Sequence, residues 1–451
     1  MKIVIAGAGE VGYNLIERLS KEPVQLFVVD TNPVVLKRLQ DQFGVTTDLS
    51  NVVDSRFLSR SHLKDADLFL AITNSDETNM IACKIASAAG VGKTVCRIRT
   101  VHLEGAKKAE SLQSLGIDHI INPVELVADE LFKGVMTPNL IESHAFDEGR
   151  LFLYGYRIQT YCQFFNQTVE EVKGQLEPYG ILPALLLRQG RCFLPKLAQR
   201  LEEHDVLYFL CPLQKHTTLR EIMGYARAAA KKKRVMINGG GHIGFRLAKR
   251  LEETHHQVKV IERDAFRSQN IAGRLSKALV LHFDGTELKS LKSEGLTDTD
   301  FFLSVTSSEQ INLTACLLAK VNSHARAICL VMQQEWLPIV EEGTLIDRAV
   351  SPRILTARHL SRFIRGDRVE ASFSVAHTEV LQIHLNANCP LLGKTLAELD
   401  LGDASAVGLV AREGQYHSPR PNFKLQNQDL VLLLVHRLDR AKVLELFGRA
   451  F

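Results

Sequence analysis

Three observations in this 451-residue chain predict an α/β protein: two tandem Rossmann-like parallel-sheet domains, each followed by a small α+β module. A glycine fingerprint occurs twice, as Gly7-Ala8-Gly9-Glu10-Val11-Gly12 and as Gly239-Gly240-Gly241-His242-Ile243-Gly244, 232 residues apart. Each copy follows a β-branched apolar run and opens a segment of helical periodicity, which is the context the motif requires. A further apolar run after each helix ends in an acid, Asp30 or Glu262, 18 residues beyond the last glycine.

Taken in order, Ile3-Val4-Ile5 reads as the first strand, and Val11, Leu15, Ile16 and Leu19 mark the first helix; Val235-Met236-Ile237 and Ile243, Leu247, Leu251 repeat them. In such a loop the first glycine permits a tight bend, the second lets the backbone approach a pyrophosphate, and the third lets the helix sit close on the strand. Phosphates then lie at the positive helix N-terminus. A carboxylate at Asp30 or Glu262 accepts hydrogen bonds from ribose hydroxyls and repels a 2′-phosphate, favouring NAD(H) or an adenine nucleotide over NADP.

The repeat continues with an offset of 233. Leu68 to Ser75 matches Phe301 to Ser308, and Asn79 matches Asn312. An open α/β sheet places its ligand crevice at the carboxyl ends of such strands, so Thr73, Asn74 and Thr306 are expected to face a nucleotide. Ser75 and Ser308 serve equally as helix N-caps there. The next strands, Thr94 to Arg99 and Ala327 to Met332, diverge: Arg97 or Arg99 can fork onto a phosphate or form an ordinary ion pair, whereas the second half has Leu330 and Met332. Later strands run into Pro123 and Pro352, which close the Rossmann-like pieces. The amphipathic helices that follow, Val124 to Gly134 and Arg353 to Arg365, suit a dimer or crossover role.

The modules show strand alternation at Phe152 to Ile158, Leu185 to Leu187 and Val206 to Leu210, then at Val380 to Leu385, Val407 to Val410 and Leu430 to Val435. Short helices near Leu213 to Met223 and Asp439 to Phe447 end them. The boundaries are thus 1–135 and 136–224 for the first half, a linker at 225–234, then 235–365 and 366–451. Lys231-Lys232-Lys233-Arg234 in the linker reads as a solvated cluster, with anionic headgroups as the other reading.

A 45% hydrophobic and 24% charged composition is that of a globular protein. The net charge of +4 gives no reason to expect a nucleic-acid partner. Leu430 to Val435 falls far short of the ~20 residues that span a bilayer, and Met1-Lys2 leads straight into a strand without signal-peptide organisation, so a cytoplasmic location is expected. Eight cysteines without a C-x-x-C pair argue against a metal site and a disulfide framework. Cys83 and Cys96 recur as Cys316 and Cys329 and read as small apolar residues of a helix and the next strand.

On the paired glycine loops, the segment Thr73 to Cys83, the Cys96-Arg97-Ile98-Arg99 strand and the segment Ile346 to Pro352 leading into Leu355-Thr356-Ala357, the chain resembles the Trk-type potassium-uptake regulatory family over essentially its whole length. That family is a tandem of two RCK units. The resemblance implies a non-enzyme that sits as a peripheral cytoplasmic ring, a homo-oligomer of tetramer size, on a TrkH-type membrane potassium transporter subunit. It implies gating of that transporter by bound NAD(H), ATP or ADP. Carried over, the first pocket uses Gly7 to Val11, Asp30, Thr73, Asn74 and Arg97; the second uses Gly239 to Ile243 and Glu262, with Asp284-Gly285-Thr286 beside the adenine-ribose. Asn51-Val52-Val53 replaces that last turn in the first half, and two branched residues there are expected to change the backbone. An NAD-dependent dehydrogenase is the alternative from another class, although His204, His216, His384 and His417 occupy no matching positions in the halves. A regulatory subunit of another cation transporter or antiporter is a third reading.

Overall fold

The computed structural model describes residues 1–20, 24–54, 61–99, 114–225, 232–333, 335–342, 346–365, 372–402 and 404–448. Most of the Tyr225 to Arg234 linker, including Lys231, lies outside the described residues. The first half begins β1 (Lys2–Ala6), α1 (Glu10–Leu19), β2 (Gln25–Asp30), α2 (Pro33–Phe43), β3 (Thr46–Leu49), α3 (Ser61–Lys64), β4 (Leu68–Ala71), α4 (Asp76–Ala88), β5 (Lys93–Arg97), β6 (His119–Ile121) and α5 (Pro123–Met136). Its strands form one parallel sheet in the order β3-β2-β1-β4-β5-β6. The crossover strand order reverses between β1 and β4, which opens a ligand crevice at their carboxyl ends.

An antiparallel module follows: β7 (Leu140–Phe146), β8 (Leu151–Arg157), α6 (Val169–Leu176), β9 (Leu182–Arg188), β10 (Arg191–Phe193), β11 (Val206–Pro212) and α7 (His216–Ile222), with sheet order β10-β9-β11-β8-β7.

The second half repeats both pieces. Its parallel sheet contains β12 (Arg234–Asn238), α8 (His242–Glu252), β13 (Gln257–Glu262), α9 (Ala265–Ala272), β14 (Leu279–His282), α10 (Leu288–Ser293), β15 (Phe301–Ser304), α11 (Glu309–Asn322), β16 (Arg326–Leu330), α12 (Trp336–Glu342), β17 (Arg348–Val350) and α13 (Pro352–Arg365). The order β14-β13-β12-β15-β16-β17 is that of the first sheet. The last module has β18 (Ser372–Val375), β19 (Thr378–His384), β20 (Ala406–Arg412), β21 (Gln415–His417), β22 (Leu430–His436) and α14 (Arg440–Leu446), in the order β18-β19-β22-β20-β21. Strand for strand this matches the first module, so the duplication covers the modules as well as the parallel sheets.

The chain divides into two compact units that each take one piece from each half: Met1–Phe132 with Lys232–Gly366, and Lys133–Lys231 with Asp367–Phe451. In the first unit the halves exchange helices. Ala357, Leu360 and Ile364 of α13 are buried in the same apolar cluster as Leu15, Ile16 and Leu19 of α1. His119 at the start of β6 stacks on Phe363 of α13, with ring centroids 4.5 Å apart. Reciprocally, α5 of the first half meets the second: Glu125 pairs with Arg246 at 2.9 Å and Arg250 at 3.1 Å, Asp129 pairs with Arg250, and Glu130 pairs with Arg348 of β17. The crossover reading of these helices is the one the structure adopts, within a single chain.

In the second unit the two modules share one core, in which Leu153, Leu185, Tyr208 and Leu210 pack with Val380, Leu409, Leu432 and Leu434. Asp147, buried at a positive-φ turn, accepts from Tyr416 at 2.6 Å, while its N–H donates to Gln382 Oε1 at 2.7 Å. Each module also carries the same bidentate pair. Arg188 forks onto Asp205 at 2.7 and 2.6 Å, and Arg412 onto Asp429 at 2.8 Å through both nitrogens. No helix among the described residues is long and apolar enough to cross a membrane.

Candidate functional site

Both glycine loops have the same construction, and each glycine answers a different demand. Gly7 and Gly239 sit at φ +111° and +108°, where a Cβ would lie 2.8 or 2.9 Å from the backbone nitrogen of Thr73 or Thr306. Gly12 and Gly244 let α1 and α8 close onto their own loops, since a Cβ there would meet the carbonyl oxygen of Gly7 at 2.1 Å or of Gly239 at 1.8 Å. Gly9 and Gly241 are different. Their φ of −62° and −66° suits any residue, and a Cβ on either would touch nothing within 4 Å. These two positions face open space.

Gly9 and Gly241 are also the N-caps of α1 and α8, and neither supplies a side-chain acceptor. By contrast α2, α4, α9 and α11 are capped by Asn32, Ser75, Asp264 and Ser308. The first N–H groups of α1 and α8 therefore have no side-chain acceptor from the cap residue, and with the helix dipole behind them these ends favour an anion. Glu10 and His242, the first helical residues, are exposed; Val11 and the partly buried Ile243 turn inward to their helices.

The two strand-end acids hold their loops in place. Asp30 accepts from the N–H of Ala8 at 2.7 Å and of Asn32 at 2.9 Å; Glu262 accepts from Gly240 at 2.9 Å and Asp264 at 2.8 Å. Here the halves differ. Glu262 is buried and also receives Arg267 at 3.3 Å, where the first half has Val35. Asp30 is half-buried and pairs with no cation among the described residues, so its charge is the better placed to meet a ribose. Gly240 has no room for a side chain, because a Cβ would reach Ile271 Cδ1 at 2.5 Å.

Behind each loop, a buried asparagine that the sequence revealed only as repeat register shapes the strand end. Asn79 accepts from the Thr73 N–H at 2.8 Å and hydroxyl at 2.7 Å, and donates to the Arg97 carbonyl at 2.9 Å. Asn312 does the same for Thr306 at 2.8 and 2.7 Å and for Leu330 at 3.0 Å. The Thr73 and Thr306 hydroxyls are thus committed to the loop itself, while Asn74 is exposed at its tip. Ser75 and Ser308 cap α4 and α11 through Thr78 N–H at 3.1 Å and Ile311 N–H at 3.3 Å.

Arg97 folds back over this strand end, donating to the Thr73 carbonyl at 3.3 Å, and its Nε is buried without a hydrogen-bond partner. Burial, and then the neighbouring Arg99, hold its pKa below the ordinary arginine value. Arg99 takes the ion pair instead, with Asp76 at 3.6 Å. A half-buried guanidinium short of acceptors, at the carboxyl end of the sheet, is a group that an anionic ligand would stabilise.

The expectation that Asn51-Val52-Val53 departs from the Asp284-Gly285-Thr286 turn is corrected. Asn51 Oδ1 accepts from Val53 N–H at 3.1 Å and Asn51 O from Asp54 N–H at 3.0 Å; Asp284 makes the same bonds to Thr286 and Glu287 at 2.9 and 2.8 Å. Gly285 is required for space, not for φ, because a Cβ would lie 2.1 Å from Asn238 Oδ1. In the first half that position is Ala6, which shares a core cluster with Val52. Large-on-small and small-on-large give one backbone. Asp284 itself is held below the usual carboxylate range by hydrogen bonds from Thr286, with Arg263 adding to them. All eight cysteines are free and buried, and burial pushes the Cys192 thiol up to about 11, so they serve the core.

The TrkA-N domain model matches residues 3–123 and again 235–352, and the TrkA-C domain model matches 380–448. The chain is 29% identical over 457 residues to "Trk system potassium uptake protein TrkA" of Azorhizobium caulinodans, covering 99% of this chain and 98% of that one. It is 27% identical to the protein of the same name from Halomonas elongata, covering 98% and 97%. Among solved structures it is similar in fold to "GsuK channel bound to NAD", with a TM-score of 0.63 at 18% identity over 99% of this chain and 79% of that chain. The "Crystal Structure of the GsuK RCK domain" matches with a TM-score of 0.63 at 18% identity over 99% and 95%.

Proposed function

This chain belongs to the TrkA family, and from that premise we propose that it is the nucleotide-sensing regulatory subunit of a potassium-uptake system. The observation that carries the reading is the pair of uncapped helix N-termini at Gly9 and Gly241, each opening on free space beside a strand-end carboxylate. Such a site binds and releases a nucleotide. Its ligands are NAD(H), ATP and ADP, held in the first half by Gly7, Ala8, Gly9, Val11, Gly12, Asp30, Asn74 and Arg97 and by Glu10 through its backbone N–H. Gly239, Gly240, Gly241, His242, Ile243, Gly244, Glu262 and Asp284 form the second, and Thr73 and Thr306 set the loop shapes.

The partner is a TrkH-type membrane potassium transporter subunit, met at the cytoplasmic face by a homo-oligomer, a tetramer in this reading. The division into two nucleotide domains at 1–135 and 235–365 and two modules at 136–224 and 366–451 is part of the same proposal. A ligand shifts such an assembly only through its differential affinity for two states, so activating and inhibiting nucleotides must contact the pocket differently. Calorimetric titration with ATP, ADP, NADH and NADP tests this. The reading expects Arg97→Ala to weaken ATP at the first site, and NADP to bind there more weakly than NAD because Asp30 has no cation beside it. NADH oxidation with any of a panel of carbonyl compounds would favour a dehydrogenase instead.

A further inference from the structure

We propose that Arg353, carried by the second half, is a phosphate ligand of the first half's nucleotide site and is held ready by Glu10. The proposal rests on the reading of the Gly7–Gly12 loop as a nucleotide site. Glu10 is the first residue of α1, next to Gly9, and its Oε2 lies 3.1 Å from Arg353 Nη1. Arg353 is the second residue of α13, the helix that the second half packs against α1. A guanidinium from one half therefore stands beside the uncapped helix end of the other, where phosphates are bound best. With 30% of its side chain exposed against 64% for Glu10, Arg353 is the more fixed member of the pair.

The second site lacks this pair. His242 stands in the place of Glu10, and α5 presents Val124 in the place of Arg353. The charged residue beside it is an acid, Glu125, already engaged by Arg246 and Arg250. At the central strand Leu330 replaces Arg97. The first site thus has arginines at positions 97 and 353 where the second has Leu330 and Val124, while the second carries Arg267, already paired with Glu262, where the first has Val35. A nucleoside di- or triphosphate, with its dense charge, belongs to the first site. A terminal phosphate there competes with Glu10 for the Arg353 fork, one anion replacing another. Because α13 belongs to the second half, that exchange links phosphate occupancy to the junction between the halves.

The test is calorimetric titration of the full chain with ATP and, separately, with adenosine, for wild type, Arg353→Ala and Glu10→Gln. The charge-assisted contact predicts that Arg353→Ala weakens ATP at the first site by about tenfold while adenosine affinity stays within about twofold. Glu10→Gln, which frees Arg353, is expected to tighten ATP. Equal ATP affinity in wild type and Arg353→Ala overturns the assignment while leaving the nucleotide site standing. So does an equal loss of ATP and adenosine, or weaker ATP binding by Glu10→Gln. A wild type that binds neither ligand overturns the site itself.

Discussion

At Gly9 and Gly12 one substitution, to alanine, has two different consequences. A Cβ on Gly12 collides with the backbone of Gly7, so Gly12→Ala should cost about 3 kcal/mol of stability in denaturant unfolding. A Cβ on Gly9 meets nothing in the protein and its backbone angles suit alanine, so Gly9→Ala should unfold like wild type. It should nonetheless lose nucleotide affinity, because the methyl group occupies the space a pyrophosphate needs. A destabilised Gly9→Ala protein, or one binding ATP normally, would mean that the open side of the loop is not the ligand side. The Asn238–Gly285 and Ala6–Val52 pairs give a second residue-scale prediction. Gly285→Val should destabilise by about 1–3 kcal/mol, and adding Asn238→Ala should recover much of that, a coupling that a double-mutant cycle measures.

At the scale of elements, the parallel sheets were legible because each buried strand is a continuous apolar run ending at a glycine, an acid or a hydroxyl cluster. The modules were legible only in their central strands. β7 reads Leu-Ile-Glu-Ser-His-Ala-Phe and β10 and β21 span three residues each, so these edge strands carry no clear period. The helix α6 had a signal that went unread: Thr168-x-x-Glu171 is a capping box, and Thr395-x-x-Glu398 repeats it before a single turn in the last module. The Arg188–Asp205 and Arg412–Asp429 pairs went unseen for another reason, since β9 must lie beside β11, and β20 beside β22, before the residues meet. These buried pairs brace their modules. Asp429, fully buried, also accepts the Gln426 N–H at 2.8 Å, so Asp429→Ala should cost about 3 kcal/mol in thermal or denaturant unfolding. Asp400→Ala, which removes an exposed pair with Lys442, should leave stability nearly unchanged. Comparable effects would show that the buried forks are incidental.

For the whole molecule, duplication followed by divergence explains more than either half alone. The sheets and modules of the two halves keep the same strand order, the helices after Pro123 and Pro352 cross between the halves, and the departures include charge changes near the loops: Arg97 against Leu330, Glu10 against His242, Val35 against Arg267. The exchange of helices could not be read from the sequence, because an amphipathic face says that a helix is covered without saying by what. The central claim is that nucleotide held in these loops sets potassium flux through a separate membrane subunit. Its most direct test is potassium flux into vesicles containing a TrkH-type transporter, measured with the purified chain and then with ATP, ADP or NADH added. The expected flux depends on the chain and changes in sign or size between nucleotides, with every nucleotide recovered intact and the response lost in Gly9→Ala. Flux indifferent to the nucleotide, or nucleotide consumed as potassium moves, would contradict it.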